Sequence, residues 1–303
     1  MRLRELGAGE LGRRLRNGGL DLRLGPFSVR LRSRFPDVER EVARLYADQR
    51  LSHAAFHDYH VRLTSPSGPR RWVRPQVLFL LDGISPFRPL PRAQAVPMLE
   101  WGLNWCVASQ AHHYLILHAA VVERGGRAVI LPADSGAGKS TLTAALVHAG
   151  WRLLSDELAL LTLDGAELHA LARPVSLKNE SIDVVREQLP DAVLSEPCED
   201  TNKGTVSLMR PPRESVDRVH EPAVPAFVVT PEFRAGADPE LTPASRATTF
   251  MELAHNGFNY SIHGATGFDV LTGLVDRCQC HHFSYGRLRD AVAVFDSLVG
   301  AAG

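Results

Sequence analysis

The residues with the clearest capacity for chemistry are the run Ala133-Asp134-Ser135-Gly136-Ala137-Gly138-Lys139-Ser140-Thr141. A phosphate cradle needs backbone N–H groups turned inward, and so needs glycines where side chains would collide with the ligand. Gly136 and Gly138 meet that need. Lys139 can reach the β and γ phosphates of a nucleotide, Ser140 can ligate Mg²⁺, and the N-terminus of a following helix adds partial positive charge. The run has the form of a P-loop with Ala133 in place of the first glycine, and the span Asp134 to Thr141 is the expected ATP-binding set. Downstream lies Ser155-Asp156-Glu157. Two adjacent carboxylates can hold Mg²⁺ and can also orient or deprotonate an attacking hydroxyl. Their spacing alone does not say which acid is the base.

These groups act together only if secondary structure brings them together. Ala128 to Leu131 reads as a buried strand. Lys139 to Ala149 carries Leu142, Ala145, Leu146 and Ala149 at helical spacing, with Gly150 where a C-terminal capping glycine belongs. Trp151 to Leu154 is a second apolar segment. A strand, a helix and a strand in this order form a right-handed crossover with the strands parallel, which sets Asp156 and Glu157 at the same sheet edge as the glycine loop.

Before the loop, Tyr114 to Val122 is an apolar run interrupted by His118, and the turn Glu123-Arg124-Gly125-Gly126-Arg127 joins it to the next strand. Earlier, Phe27 to Leu31, Tyr59 to Leu63 and Pro75 to Leu81 read as strands, and Asp37 to Tyr46 and Val96 to Ala111 as helices. Later elements are a strand at Leu158 to Leu163, helices at Ile182 to Leu189, Ser245 to His255 and Arg287 to Leu298, and strands at Phe227 to Val229 and Gln279 to Tyr285. Ser195 to Gly204 reads as a polar loop. The expected division is an N-terminal α+β region, 1–110, for recognition or assembly, followed by a catalytic domain, 111–303.

The chain has 303 residues, 45% hydrophobic and 22% charged, and Lys plus Arg balance Asp plus Glu at 34 each. That composition is globular, and the zero net charge lacks the footprint of a nucleic-acid binder. No apolar run approaches the roughly 20 residues of a membrane span, and no apolar region follows the arginines of the N-terminus, so no membrane partner and a cytoplasmic location are expected. Four cysteines fit that compartment. Cys278-Gln279-Cys280-His281-His282 has an alternation suited to a strand, whereas zinc sites favour longer ligand spacings. Only three of the 34 basic residues are lysine, at 139, 178 and 203. Where arginine is the default cation, a surviving lysine marks a place for a compact ammonium.

The stretch from His118 through Leu161, with LHAAVV, ADSGAGKST and GWRLLSDELALL, resembles the HPr serine kinase/phosphorylase family, and within it the HPr kinase-related kinases of type A. The resemblance implies an α/β P-loop kinase core of the HPr kinase and phosphoenolpyruvate carboxykinase type, a mixed sheet with flanking helices, beside the smaller N-terminal α+β region. It matches His118 to a family histidine that helps position the acceptor or its phosphate, although Ala119 follows where glycine is usual. Asp156 matches the first acid of an Asp-Asp pair, and Glu157 stands in place of the second. Arg173 and Lys178, in Arg173-Pro174-Val175-Ser176-Leu177-Lys178, fall where the family carries an Arg-Gly signature, and both can neutralise charge on a phosphoryl group in transfer.

The expected function is a Mg·ATP-dependent kinase acting on a hydroxyl. The resemblance implies a serine of a peptide or small protein as acceptor, and a homo-oligomer as the assembly. Lys139, Asp156, Glu157, His118, Arg173 and Lys178 form the expected catalytic set, with Ser140, Asp156 and Glu157 on the metal. A small-molecule kinase acting on a sugar or metabolite hydroxyl, and a nucleotide-gated regulator that transfers nothing, remain as alternatives. Lys203 lies on a polar loop able to close over substrate. Asn202-Lys203-Gly204-Thr205 lacks the aspartate of a guanine-reading element, which disfavours a GTPase.

Overall fold

The computed structural model describes residues 1–7, 9–134 and 136–300. The chain divides into two compact units, the first made of Met1–Val107 with Val193–Arg210 and the second of Ala108–Ala192 with Pro211 onward. Residues 193–210 therefore belong with the N-terminal unit, whereas the sequence order alone assigns them to the second domain.

The first unit contains α1 (Glu10–Arg16), β1 (Leu20–Leu24), β2 (Phe27–Ser33), α2 (Pro36–Leu45), β3 (Tyr59–Thr64), β4 (Gln76–Leu81), β5 (Leu90–Pro91) and most of α3 (Ala95–Gln110). Its sheet has the order β1-β2-β3-β4-β5. β2 and β3 are parallel, joined through α2 as a βαβ unit, and the other pairs are antiparallel. Pro36 opens α2, where its missing N–H costs no helical bond. Val38, Val42 and Leu45 recur at helical spacing and are buried. On β3 the alternation of period two buries Tyr59, Val61 and Leu63 and exposes His60 and Arg62.

The second unit begins with β6 (Tyr114–Leu117), β7 (Ala119–Arg124), β8 (Arg127–Pro132), α4 (Lys139–His148), β9 (Arg152–Ser155), β10 (Ala159–Thr162), β11 (Leu168–His169), β12 (Val175–Lys178) and α5 (Glu180–Gln188). The chain then returns to the first unit for an antiparallel pair, β13 (Cys198–Thr201) and β14 (Gly204–Met209), where a polar loop is expected from the sequence. It finishes in the second unit with α6 (Arg213–Asp217), β15 (Val224–Phe233), β16 (Glu240–Pro243), α7 (Arg246–His255), α8 (Tyr260–His263), α9 (Ala265–Arg277), β17 (Gln279–Tyr285) and α10 (Leu288–Gly300).

The main sheet of the second unit has the order β16-β17-β15-β8-β7-β9. β7 and β8 form a hairpin on Gly125-Gly126, both with positive φ, the backbone that a two-residue hairpin turn requires. β9 pairs antiparallel with the far side of β7, so β8 and β9 run the same way with β7 between them. A six-residue exit segment, α4 and a tight turn make the crossover. α4 ends in a Schellman motif, with Trp151 N–H on Leu146 O at 3.0 Å and Gly150 N–H on Val147 O at 3.2 Å. Glu123 on β7 and Arg152 on β9, both buried, form an ion pair, and Arg152 also donates to the carbonyls of Arg218 and Glu221.

The apolar run 114–122 is not one strand. It breaks at His118, leaving β7 in the main sheet and β6 in a second sheet of order β11-β10-β6. His118 N–H bonds Asn256 O at 2.7 Å, which takes it out of either ladder. The core between the sheets and α7 and α9 includes Leu115, Leu117, Val121, Ile130, Val228, Leu253, Leu271 and Leu274. Each such side chain contributes about 1.5–3 kcal/mol by leaving water. No helix among the described residues is long and apolar enough to cross a membrane.

Candidate active site

The glycine loop leaves the end of β8 and enters α4 through Gly138, whose φ of 88° lies in the left-handed region. A Cβ at Gly138 would stand 2.6 Å from the Tyr285 hydroxyl and 2.8 Å from Phe233 Cβ, so both backbone and space demand glycine here. Two neighbouring strands hold the carbonyl side of the loop. Tyr285 at the end of β17 donates its hydroxyl to Gly138 O at 3.0 Å, and the Phe233 N–H at the end of β15 donates to Ala137 O at 3.1 Å. Those bonds fix the carbonyls of Ala137 and Gly138 where α4 begins, so the first turn of the helix starts from a held backbone. Asp134 is exposed, Lys139 is buried, and Ser140 and Thr141 are half-buried. Ser135 lies outside the described residues.

Asp156 follows the last residue of β9, and its carboxylate turns toward α4. Ser140 donates its hydroxyl to Asp156 Oδ2 at 3.1 Å, and the Ser176 N–H on β12 donates to the same oxygen at 3.0 Å. Asp156 Oδ1 is buried with no hydrogen-bond partner among the described residues. Burial first, and the neighbouring Glu157 carboxylate second, push the Asp156 carboxyl up to about 6, while the Lys139 ammonium and the two hydrogen bonds pull it down. The carboxylate therefore sits in a place that disfavours its charge unless a cation arrives.

Glu157 faces another partner. Its Oε2 lies 3.2 Å from His118 Nε2, and the His118 side chain is about one-third exposed against 18% for Glu157. With its proton on Nε2 the imidazole donates to the carboxylate. His118 is held at the β6–β7 break by its backbone bond to Asn256, and its ring packs beside Phe258 at 5.7 Å between centroids. Asn259, fully buried, fixes this segment by accepting from Ile116 N–H and donating to Tyr114 O, each at 2.8 Å.

The loop that carries Arg173 lies against β9, since the Leu171 and Ala172 N–H groups both donate to Leu154 O at 2.8 Å. Arg173 is buried, and Lys178 at the end of β12 is half-buried. Ala172 and Asn179, which bracket this segment, both have positive φ, 45° and 52°. Left-handed non-glycine residues cost energy and cluster where backbone is held to a purpose. Lys203 belongs to the first unit, with its ammonium 5.6 Å from the Trp101 ring.

Within the second unit, then, Ser140 meets Asp156 and His118 meets Glu157, and Lys139 is close enough to act on Asp156 through its charge. Ser176, Tyr285 and Phe233 also take part, and none carries a sequence signal, because two contribute backbone N–H groups and Tyr285 is 147 positions from its partner. The donor set suits a divalent ion of the magnesium type. Ser140 and two carboxylates offer hard oxygens, one buried oxygen lacks a partner among the described residues, and Mg²⁺ typically takes one or two protein carboxylates and completes its shell with phosphates and water. No group of three or more His, Cys, Asp or Glu is gathered as a metal cage among the described residues.

No family model and no curated protein matches the chain. Among solved structures, one match is the Hpr(Ser) kinase/phosphatase from Coxiella burnetii, 11% identical, covering 62% of this chain and 99% of that chain at a TM-score of 0.28. At that TM-score the likeness carries no argument about fold or chemistry.

Proposed function

We propose that the protein is a Mg·ATP-dependent kinase that moves the γ-phosphoryl group to a hydroxyl, with a serine of a peptide or small protein as acceptor. The observation that carries this reading is the meeting of Ser140, at the start of a helix entered through a left-handed glycine, with a buried Asp156 whose second oxygen lacks a partner among the described residues. The resemblance of the segment 118–161 to HPr kinases supports the acceptor class and an oligomeric assembly.

In this reading the segment 133–141 is a P-loop, and its residues from Asp134 to Thr141 surround the phosphates. Lys139 offers a compact ammonium to the β and γ phosphates. Ser140 and Asp156 hold Mg²⁺, with Glu157 beside them, and the ion supplies neutralisation of the phosphate charge. Asp156 is buried and already bonded by Ser140 and Ser176, which suits it to the metal. Glu157 is more open to solvent and paired with His118, which suits it to receive the acceptor proton while the imidazole holds the carboxylate in place. Arg173 and Lys178 offset charge on the phosphoryl group as the bond to the leaving oxygen breaks and the bond to the acceptor oxygen forms.

Incubation with γ-labelled ATP and Mg²⁺ in a lysate separated by size tests the acceptor class. Label in peptides or proteins supports the proposal, label confined to small metabolites replaces the acceptor, and ATP binding without any transfer contradicts the kinase reading.

A further inference from the structure

The first unit contains a cavity of about 350 Å³ bounded by α2, the start of α3 and the returning segment 195–208. It is within the size range of small-ligand sites. Its wall carries five carboxylates, those of Asp37, Glu41, Glu196, Glu199 and Asp200, and one guanidinium, that of Arg40. Three of the acids are met by cations. Arg92 forms a two-pronged bond with Asp37, Arg44 lies 3.4 Å from Glu196, and Arg40 Nε lies 3.3 Å from Glu41 Oε1. Glu199 and Asp200 have no ion pair among the described residues, so about two negative charges on the wall stay uncompensated.

Glu41 gives the second observation. It is only 3% exposed, it lines the cavity, and its Oε2 has no hydrogen-bond partner among the described residues. A buried carboxylate with one oxygen unmatched is costly, and its field reaches further in an apolar surrounding than in water. Apart from Ser195 and Cys198, the rest of the wall is apolar, made by Ala93, Val96, Pro97, Pro197, Val206 and Leu208. A hard metal ion would require a cage of oxygen ligands, and no group of three or more candidate ligand side chains is gathered among the described residues. An organic cation with an apolar stem matches both parts of the wall.

We propose that this cavity binds an alkylguanidinium or alkylammonium group, its charge set against Glu41, Glu199 and Asp200 and its stem against Val96 and Leu208. The group belongs either to a basic side chain of a peptide or to a free amine. The inference stands on the first unit alone and does not depend on the kinase reading.

Calorimetric titration of the full-length protein tests it, with agmatine, the peptide acetyl-Ala-Arg-Ala-amide, and the same peptide with neutral citrulline replacing arginine. At least one of the two cations should bind with a Kd below about 1 mM, and citrulline should bind at least about tenfold more weakly than the arginine peptide where that peptide binds. Binding of both cations supports the shared chemistry, agmatine alone assigns a free amine, and the peptide alone assigns a side chain. Glu41→Gln should weaken binding about tenfold, and the exposed double variant Glu199→Gln/Asp200→Asn about threefold, the double variant with its thermal midpoint unchanged. No binding of either cation up to about 10 mM, equal binding of citrulline and arginine peptides, or wild-type affinity in a folded Glu41→Gln would each overturn the proposal. Should Glu41→Gln fail to fold, the double variant decides in its place, and wild-type affinity there overturns the proposal too.

Discussion

The Ser140 hydroxyl donates to Asp156 Oδ2 at 3.1 Å across 16 positions of sequence. This contact joins the first turn of α4 to the end of β9, the two ends of one crossover. It leaves Asp156 Oδ1 buried, without a partner among the described residues, under the charge of Lys139. Such an arrangement is poorly satisfied by itself and better satisfied by an added cation.

Asp156 should therefore weaken the metal-free protein at neutral pH. Its folded carboxyl is raised from 3.8 to about 6, so the native state holds the proton more tightly than the unfolded chain. Stability due to this group is present below pH about 4, falls as pH rises toward about 6, and then levels off at a cost of up to about 3 kcal/mol. Asp156→Asn, in chelator, should gain about 1–3 kcal/mol over wild type at pH 7 by urea unfolding and little at pH 4. An advantage that shrinks with rising pH would contradict this account of the site.

Gly138 should tolerate no side chain. Gly138→Ala meets both a left-handed backbone and the Tyr285 hydroxyl, and should cost about 1–3 kcal/mol in stability and remove nucleotide binding. Gly136 has φ of 97° but open space around it, so Gly136→Ala should cost only about 1 kcal/mol. Thermal unfolding and binding of a fluorescent ATP analogue check the pair, and equal effects at the two positions would speak against the loop geometry.

The two acids should separate in kinetics. Glu157→Gln should lower kcat by about 10²-fold or more with nucleotide affinity kept, and His118→Ala should add little to it, because the histidine acts through that carboxylate. Asp156→Asn should instead raise the Mg²⁺ concentration needed for half-maximal rate. Multiplicative losses in the His118→Ala/Glu157→Gln double variant would show that the histidine acts independently.

Much of this site can be read along the chain because it is local. Strand, glycine loop, helix and strand occupy one continuous segment, and the periodicities of Ala128 to Leu131 and Lys139 to Ala149 match β8 and α4 within one residue. The limits are physical too. The run 114–122 has no breaker at His118, and the bond from its N–H to Asn256 that splits it comes from a distant segment. The Ser176 bond to Asp156 is made by a backbone group, which every residue type shares. The pairing that gathers 193–210 into the first unit depends on contacts across more than a hundred positions, such as Gln94 Nε2 to Asp200 O at 2.8 Å.

The central claim is that Lys139 and the loop before it serve phosphoryl transfer, and the most direct measurement compares wild type with Lys139→Ala and Lys139→Arg for transfer of γ-label from Mg·ATP. The account predicts transfer by wild type, a loss of about 10²–10³-fold or more in folded Lys139→Ala, and no rescue by arginine, whose planar fork cannot replace a compact ammonium. Transfer at the wild-type rate by folded Lys139→Ala would contradict it.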